Sequence, residues 1–442
     1  MKRLISASCI FLLVMALLVG CATKVESPTV SETEKDTTTK ETEEVSTAIS
    51  KKATINLFQN KPEITEQLVV LKKEYEESHP GITLEIETVV FAEAYTALKT
   101  KFASNEMPDI FSNEGYQQLD MWIDNLEDLS DQPWVKDIIE VAKDSMSKDG
   151  KTYGLPLSLE GYGYVYNKDL FAKANITELP KTLSELKVVA EKLESKGITP
   201  FANALQIWPF LGKYSINNFI AKLPDPNAFI KGLNDGTAKF SDYRQLFEDM
   251  LKNVELIVKH GNKDQMTTDN DRMYGLLTSG ECAMFQNGNW TEIVMRRTNS
   301  EVNVGLMPIP INDDVSLNDK LFVGVPTNWV IYKNSKAKTE AKEFLNWLVT
   351  SDAGKRYITK EFKFIPAFKS IQASPEDIGQ LGQDVQKYIS EGKVLGWHWQ
   401  KYPDGAIQEF NATLQKYIVG KLTSDQVLIE FQETWDKLKP KK

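Results

Sequence analysis

The sequence predicts an α/β protein, in which a parallel or mixed β-sheet is flanked by helices. From Ala53 onward, short β-rich segments alternate with amphipathic helical segments, and this order favours a sheet covered by helices. Hydrophobic residues make up 41% of the 442-residue chain and aromatic residues 10%, which is enough for large buried cores. About 390 residues follow the N-terminal segments, so we expect two or three lobes of ~100–200 residues each.

The first elements follow one another closely. Ala53–Phe58 is a short β-rich run, and Pro62 opens a helix whose apolar residues share one face up to His79. The alternation continues with a strand over 82–89, a helix over 91–104 and a short strand over 109–111. These elements form the first part of the predicted sheet.

Polar residues follow two of these strands directly. Asn60 comes after the first strand, and Asn113 and Glu114 come after the third. Ligands of such sheets bind beyond the carboxyl ends of the strands, so these three residues are candidate ligand contacts. Helix N-capping is the alternative role for Asn113 and Glu114.

Later elements are marked by their caps. Thr182 and Glu185 form a predicted capping box that opens a helix ending at Gly197, and Thr423–Gln426 opens a last helix to about Leu438. The segment FVGVPTNWVI, from Phe322, is strand-like and precedes a helix over 338–349.

The N-terminus has the features of a secretory signal. Lys2 and Arg3 precede an apolar run over 10–19, and small residues lead to Cys21. This pattern resembles a bacterial lipoprotein signal over residues 1–20, which implies that Cys21 is lipidated and becomes the first mature residue. A plain signal peptide and a membrane-spanning helix are the alternatives, but the segment is short and impure for a span of ~20 apolar residues.

The segment after Cys21 is predicted to be a disordered linker. Residues 21–50 contain no aromatic residue and are rich in Thr, Ser and Glu. Such a composition cannot bury enough apolar surface to fold. The protein is therefore expected on the extracellular face of the cell membrane, held there by an N-terminal lipid.

Charge and residue usage exclude several functions. The net charge of −10 argues against nucleic acid as a partner, because phosphate binding needs basic patches. Of the three cysteines, Cys9 leaves with the signal and Cys21 would carry lipid, so Cys282 has no disulfide partner. The three histidines are far apart in sequence, which disfavours a zinc site. We expect no metal and no cofactor.

No catalytic signature is present. The chain lacks a G-x-S-x-G elbow and an H-E-x-x-H motif, and its partial phosphate-loop and dinucleotide patterns miss required glycines. A glycosidase with a catalytic pair of carboxylates remains an alternative, because acidic residues are abundant.

Several segments resemble the carbohydrate-binding proteins of ABC importers. YGLPLSLEGYGYVYNKDLF (153–171) resembles the crossover segment of that family. Further segments match in the expected order: MPDI (107–110), GECAMFQNGNW (280–290), FVGVPTNWVIYKNS (322–335) with AKEFLNWL (341–348), and GKLTSDQVLIEFQETWD (420–436). The match covers nearly all of residues 51–442.

The resemblance implies a two-lobed fold of the periplasmic-binding-protein type (type II), with the ligand in the cleft between the lobes. Lobe one would comprise residues 51–160 plus 322–368, and lobe two would comprise 161–321 plus 369–442. Binding would close the lobes around the ligand.

The resemblance also implies ligand contacts. Trp290 falls where the family stacks a tryptophan on a sugar ring, and Glu160 where a carboxylate binds sugar hydroxyls; a core tryptophan and a solvated glutamate are the alternatives. Trp208 lies in the aromatic segment of lobe two. Gln206, just before it, departs from the family's residue type, which suggests a different ligand.

A second aromatic wall is a further candidate. Trp397 and Trp399 alternate, so they share one face if the segment is extended, and Asp404 follows them. Core packing is the alternative role for the two tryptophans.

The sequence thus predicts a lipid-anchored sugar-binding subunit of an ABC importer, without catalytic activity. Its partners would be a mono- or oligosaccharide and the membrane permease, and it would act as a monomer. An extracellular glycoside hydrolase or polysaccharide-binding lipoprotein is the alternative, and a binder of a polyol phosphate or peptide is a third class.

Overall fold

The computed structural model describes residues 52–440. Its strands are, in chain order, β1 (Ala53–Gln59), β2 (Ile82–Thr88), β3 (Ile110–Asn113), β4 (Ser147–Lys148), β5 (Lys151–Thr152), β6 (Gly154–Pro156), β7 (Glu160–Asn167), β8 (Thr199–Phe201), β9 (Cys282–Gly288), β10 (Val304–Met307), β11 (Leu321–Gly324), β12 (Asn328–Ile331) and β13 (Val394–Gly396). The predicted signal, Cys21 and the predicted linker lie outside the described residues.

The α-helices alternate with these strands, as the sequence predicted for an α/β fold. They are α1 (Thr65–Ser78), α2 (Phe91–Ala103), α3 (Gln117–Trp122), α4 (Glu140–Lys143), α5 (Lys168–Lys173), α6 (Leu183–Glu194), α7 (Ile216–Ile220), α8 (Pro226–Asp235), α9 (Arg244–Lys259), α10 (Asn270–Thr278), α11 (Thr291–Thr298), α12 (Val315–Asn318), α13 (Lys338–Thr350), α14 (Asp352–Arg356), α15 (Pro375–Ser390), α16 (Ala406–Ile418) and α17 (Ser424–Leu438). Within residues 52–440, no helix is long and apolar enough to cross a membrane.

The first sheet has five strands in the order β2–β1–β3–β12–β6. β1 runs parallel to β2 and β3, whereas β12 runs antiparallel to β3 and β6. Phe58 pairs with Phe111, so β1 and β3 end at the same edge of the sheet. The residues after these two strands therefore lie side by side, as the strand order predicted.

The second sheet is built around β7. Its main path is β13–β11–β7–β9–β8, and β10 also pairs with β7. β7 is antiparallel to β9, β10 and β11, and its Tyr162 and Tyr164 are fully buried. We call the part built on the first sheet lobe one and the part built on the second sheet lobe two.

Within residues 52–440, the chain crosses between the two sheets three times. The first crossing, 157–159, joins β6 to β7, and the second, 325–327, joins β11 to β12. The third leads from the helices of lobe one to α15, which packs against β7, β10 and β11.

The second crossing corrects one expectation. The strand-like segment from Phe322 is two strands in two sheets, and the chain leaves lobe two after Gly324 rather than before Phe322. Pro326 explains the break, since proline has no N–H to donate to a ladder.

The predicted caps are present with one difference. Thr423 forms the predicted capping box with Gln426. Thr182 accepts from the Glu185 N–H at 3.1 Å, but the Glu185 carboxylate accepts from the Lys181 N–H instead of returning to Thr182. The helix ends at Glu194, and Gly197 turns the chain three residues later with φ +71°.

Candidate functional site

The ends of β1 and β3 form the lobe-one side of the candidate site. The Gln59 side chain closes the turn after β1: its Oε1 accepts from the Lys61 N–H at 2.6 Å, and its Nε2 donates to the Lys61 carbonyl at 3.2 Å. The Asn60 N–H donates to Ser112 Oγ at 3.2 Å, which ties the two strand ends together. Asn60 is buried, and its Oδ1 has no hydrogen-bond partner within the described chain.

Lys61 is the charge centre of this edge. Its Nζ lies 2.6 Å from Glu160 Oε1 and 2.6 Å from Glu63 Oε1, and the Lys61 and Glu160 side chains are almost completely buried. Burial opposes the charge on Lys61, but Glu160 and Glu63 outweigh it and raise the pKa of Lys61 above its ordinary value. Burial raises the pKa of Glu160, and Lys61 opposes that rise. The contact links the end of β1 to the start of β7.

Asn113 and Glu114 have different roles after β3. Asn113 Oδ1 accepts from the Gly115 N–H at 2.7 Å and its Nδ2 donates to the Gln118 carbonyl at 3.3 Å, so its side chain shapes the turn. Glu114 accepts from Gln118 Nε2 at 3.0 Å. Burial raises the pKa of Glu114, while the positive charge of Lys213 from lobe two opposes the rise. The Glu114 carboxylate of lobe one therefore interacts electrostatically with the Lys213 side chain of lobe two.

β9 delivers Trp290 to the lobe-two side. The Gly161 N–H donates to Asn289 Oδ1 at 2.8 Å, which extends the β7–β9 pairing by one residue. The Trp290 ring then folds back over Gly288: a Cβ on that glycine would lie 2.0 Å from ring atom Cζ3. Trp290 is partly exposed, whereas the strand before it is fully buried. A rigid strand thus presents one face of this ring.

An aromatic wall surrounds Trp290. The rings of Trp290 and Trp397 meet edge to face with their centroids 6.2 Å apart. The ring centroids of Trp397 and Trp399 lie 4.6 Å apart. Tyr214 packs within 6.5 Å of Trp290 and 5.8 Å of Trp399. Trp397 and Trp399 are buried, so their main contribution is to back the more exposed Trp290.

Lys213 brings a positive charge to this wall. It lies on a π-helical turn, Pro209–Ser215, that runs directly into α7; such turns occur often at functional sites. Its Nζ lies 4.6 Å from the centre of the Trp399 ring. Burial lowers the pKa of Lys213 to about 8, although Glu114 and Glu160 oppose the fall.

Polar contacts beyond these groups also join the two lobes. Lys99 Nζ lies 3.0 Å from Asp404 Oδ2, and Gln400 Nε2 donates to the Glu114 carbonyl at 2.8 Å. An Arg297 guanidinium N–H donates to the Glu63 carbonyl at 2.9 Å. These bonds join lobe two to lobe one, so the cleft is closed in this structure.

The structure brings five of the candidate residues to the cleft. Asn60, Glu114 and Glu160 lie on the lobe-one side or at the crossing, and Trp290 and Trp397 lie on the lobe-two side.

Four other candidates lie elsewhere or are engaged in local structure. Asn113 closes a turn, and Asp404 is an exposed interlobe contact rather than part of the tryptophan wall. Gln206 is exposed and donates to the carbonyls of Thr267 and Thr268. Trp208 is partly exposed at the start of the π-helical turn.

Sequence reasoning found the two acidic residues of the cleft but missed its lysines. Lys61 directly follows Asn60, so the same strand-end argument would have included it. Lys213 and Tyr214 carry no such signal, because their neighbours in space come from segments far away in sequence.

Metal-binding chemistry is not suggested by the side chains described. Residues 52–440 hold no cluster of three or more His, Cys, Asp or Glu that could bind a metal ion. Cys282 is a free, buried thiol in β9, and burial raises its pKa to about 12.

Comparison with known proteins identifies the family. Residues 61–355 match the model of the bacterial extracellular solute-binding protein family. The multiple sugar-binding protein of Streptococcus mutans is 23% identical over 367 residues, which cover 80% of this chain and 84% of that protein.

Two solved structures have the same fold. RafE in complex with raffinose aligns with a TM-score of 0.75 and 21% identity, over 88% of this chain and all of that one. A sugar transporter from Bacillus licheniformis in complex with stachyose aligns with a TM-score of 0.72 and 23% identity, over 87% of this chain and all of that one. The chain belongs to the bacterial extracellular solute-binding protein family, and the predicted α/β two-lobed fold is confirmed.

Proposed function

We propose that this member of the bacterial extracellular solute-binding protein family is the sugar-binding subunit of an ABC importer. Its relative in Streptococcus mutans is a multiple sugar-binding protein, and two proteins of the same fold were solved with raffinose and stachyose. The ligand would be an oligosaccharide held between the lobes.

One observation carries the proposal: the partly exposed Trp290 and the buried Lys213 contact the same aromatic wall at the cleft. Sugars have apolar C–H faces and hydroxyl edges, and aromatic rings supply rigid apolar area for the faces. The Trp290 ring, fixed over Gly288, would stack on a sugar face. Charged groups make strong hydrogen bonds to hydroxyls, and Glu160, Lys61 and Lys213 would supply them.

Lobe closure would bring these groups together around the ligand. Lys61 and Glu114 belong to lobe one, whereas Trp290 and Lys213 belong to lobe two. Only the closed form presents both sets to one ligand, so a sugar binds that form better and shifts the population toward it.

We propose no catalytic step at this site. A glycosidase needs one carboxyl group that can give a proton to the leaving oxygen and a second that acts as nucleophile or base. Glu160 is tied to Lys61 at 2.6 Å, and Glu114 to Gln118 at 3.0 Å. Each carboxylate is thus engaged by a polar partner, an arrangement that suits ligand binding and not proton transfer.

A calorimetric titration tests the binding function. The purified protein would be titrated with raffinose, stachyose, a xylo-oligosaccharide and a chitin oligosaccharide, with native mass spectrometry to detect any co-purified sugar. Binding of at least one sugar with compaction in solution scattering supports the proposal. Release of reducing sugar from an oligosaccharide would instead support the glycoside hydrolase. If the protein bound none of these carbohydrates, the proposal that its ligand is a sugar would be wrong.

We also propose that Cys21 carries a lipid that anchors the protein, and that the closed form delivers its sugar to a membrane permease. The apolar run and the small residues before Cys21 support the anchor. The thioether bond to the lipid needs the Cys21 thiol. Cys21→Ser should abolish the lipid mass and release the protein from the cell surface. A wild-type protein whose mature N-terminus lies far from Cys21 would contradict the anchor.

A further inference from the structure

Glu292 is a buried carboxylate that no ligand contact described above uses. It lies two residues after Trp290, in the first turn of α11, and is 1% exposed. Its Oε1 accepts from the Gln380 N–H at 3.0 Å, and its Oε2 accepts from the Leu381 N–H at 2.8 Å. Arg296 Nε donates to Oε1 at 2.7 Å. Three donors therefore satisfy this buried charge, as its burial requires.

The partner helix is shaped to receive this carboxylate. α15 bends at Gly379, which has φ 76° and ψ 178°. A Cβ at Gly379 would lie 2.6 Å from both carboxylate oxygens of Glu292, so only glycine leaves room for them. The bend exposes the N–H groups at the start of the second half of α15, where a negative charge is favoured.

α15 is itself fixed to the second sheet. Its Gln380 Oε1 accepts from the Val304 N–H at 2.9 Å, and its Asp384 Oδ2 accepts from the Leu306 N–H at 2.8 Å. Both donors belong to β10, which pairs with the central strand β7. Glu292 thus connects α11 to a helix that cannot shift without breaking bonds to the sheet.

The two ends of α11 meet different parts of the cleft. Its N-terminal end carries Trp290. Near its C-terminal end, Arg297 donates to the Glu63 carbonyl of lobe one at 2.9 Å and lies 3.6 Å from the Glu66 carboxylate. Glu63 also pairs with Lys61. The orientation of this one short helix therefore sets both the tryptophan and an interlobe contact.

We propose that Glu292 is a positioning residue for ligand binding: it locks α11 onto the bent helix α15, so that Trp290 meets the sugar and Arg297 meets lobe one in the same closed arrangement. The inference rests on the proposed function, in which Trp290 contacts a sugar. Glu292 itself touches no ligand.

Glu292→Gln tests this role, since it keeps the side-chain size but removes the charge and turns an amide N–H₂ toward backbone donors. The matched control is Glu248→Gln, which breaks another i,i+4 arginine–glutamate pair, on α9, where the glutamate side chain is 33% exposed instead of buried. In the folded protein, Glu292→Gln should weaken binding of the sugar selected by titration by about 10-fold, or about 1.4 kcal/mol. The control should bind as the wild type does.

A double-mutant cycle separates positioning from a purely structural role. If Glu292 acts through Trp290, adding Glu292→Gln to Trp290→Ala should change the affinity much less than adding it to the wild type. Wild-type affinity in the folded Glu292→Gln variant overturns the proposal, as does a full additional loss in the Trp290→Ala background.

Amide hydrogen exchange tests the lock without any sugar. Glu292→Gln should speed exchange in α11 and at Gln380 and Leu381, while the rest of lobe two keeps its protection. Unchanged exchange in α11, or a uniform loss across lobe two, would overturn the proposal. Failure of the wild type to bind any sugar would overturn the proposed function, and the exchange result would still decide whether Glu292 holds α11.

Discussion

Replacing Trp290 with alanine is the most direct perturbation of the proposed site. The ring is partly exposed, so a ligand can cover at most about 80 Å² of it, which at ~25 cal/mol per Å² gives about 2 kcal/mol. Trp290→Ala should therefore weaken sugar binding by about 30-fold, at ~1.4 kcal/mol per decade. Trp290→Phe should keep part of the affinity, since it retains an aromatic face.

The same substitution has a limited cost in stability. Trp290→Ala loses the ring contacts with Trp397 and Tyr214, but the exposed part of the ring contributes nothing to the core. We expect a loss of about 1–2 kcal/mol, below the ~3–5 kcal/mol typical of a fully buried tryptophan. Urea denaturation measures this loss, and calorimetry on the folded protein measures the affinity.

Trp347 provides a matched control in lobe one. It is also partly exposed and packs against Tyr75 at 5.0 Å and Phe344 at 6.2 Å, among the helices of that lobe. Trp347→Ala should lower stability and leave sugar affinity unchanged. If Trp290→Ala instead melts early and binds sugar normally when folded, Trp290 is a core residue and the site is wrongly assigned.

Three further predictions follow from single contacts. Gly288→Ala should weaken sugar binding by about tenfold or more, because its methyl group would displace the Trp290 ring; calorimetry that finds the wild-type affinity would contradict this. Lys61→Met should lower the free energy of unfolding in urea by ~3–5 kcal/mol, since it leaves Glu160 buried without its partner, and adding Glu160→Leu should recover much of the loss. Burial lowers the pKa of Lys222 to about 7, so between pH 7 and the ordinary lysine range the unfolded chain binds more protons and wild-type stability rises with pH. In urea melts, Lys222→Met should reduce that rise, to which the buried Lys213 also contributes, whereas the exposed Lys421→Met should keep it in full; an unchanged slope in Lys222→Met would refute the assignment.

Local sequence patterns predicted most of the elements but not every boundary. The strand–helix alternation over 53–111 and the capping box at Thr423 are reproduced, since both depend on contacts between near neighbours in sequence. The segment from Phe322 was predicted as one strand and is two. Its β-rich residues indicate extended backbone, but which sheet each half joins depends on strands more than 150 residues away.

The candidate site was predicted unevenly for the same reason. Trp290 and Glu160 carry a family pattern in their own segments, and Asn60 follows a recognisable strand end. Nothing near Lys213 in sequence marks it as a cleft residue, because its neighbour Trp399 lies on a distant segment. Asp404 looked like part of the tryptophan wall from its spacing, yet its carboxylate turns to Lys99 of the other lobe.

Local patterns in the chain were enough to predict the α/β class, the positions of most helices and strands, the resemblance to a solute-binding family and the placement of Trp290 at the end of a strand. These properties are encoded in periodicity, caps and short segments, whose physics is local. The folded molecule was needed to find that Lys61 pairs with Glu160 and that Glu292 bonds the Trp290 helix to α15. It was also needed to find that Arg297, Gln400 and Lys99 join the lobes. Such contacts link residues far apart in the chain, and the energy of burying their charges depends on partners that meet only after the sheets have assembled.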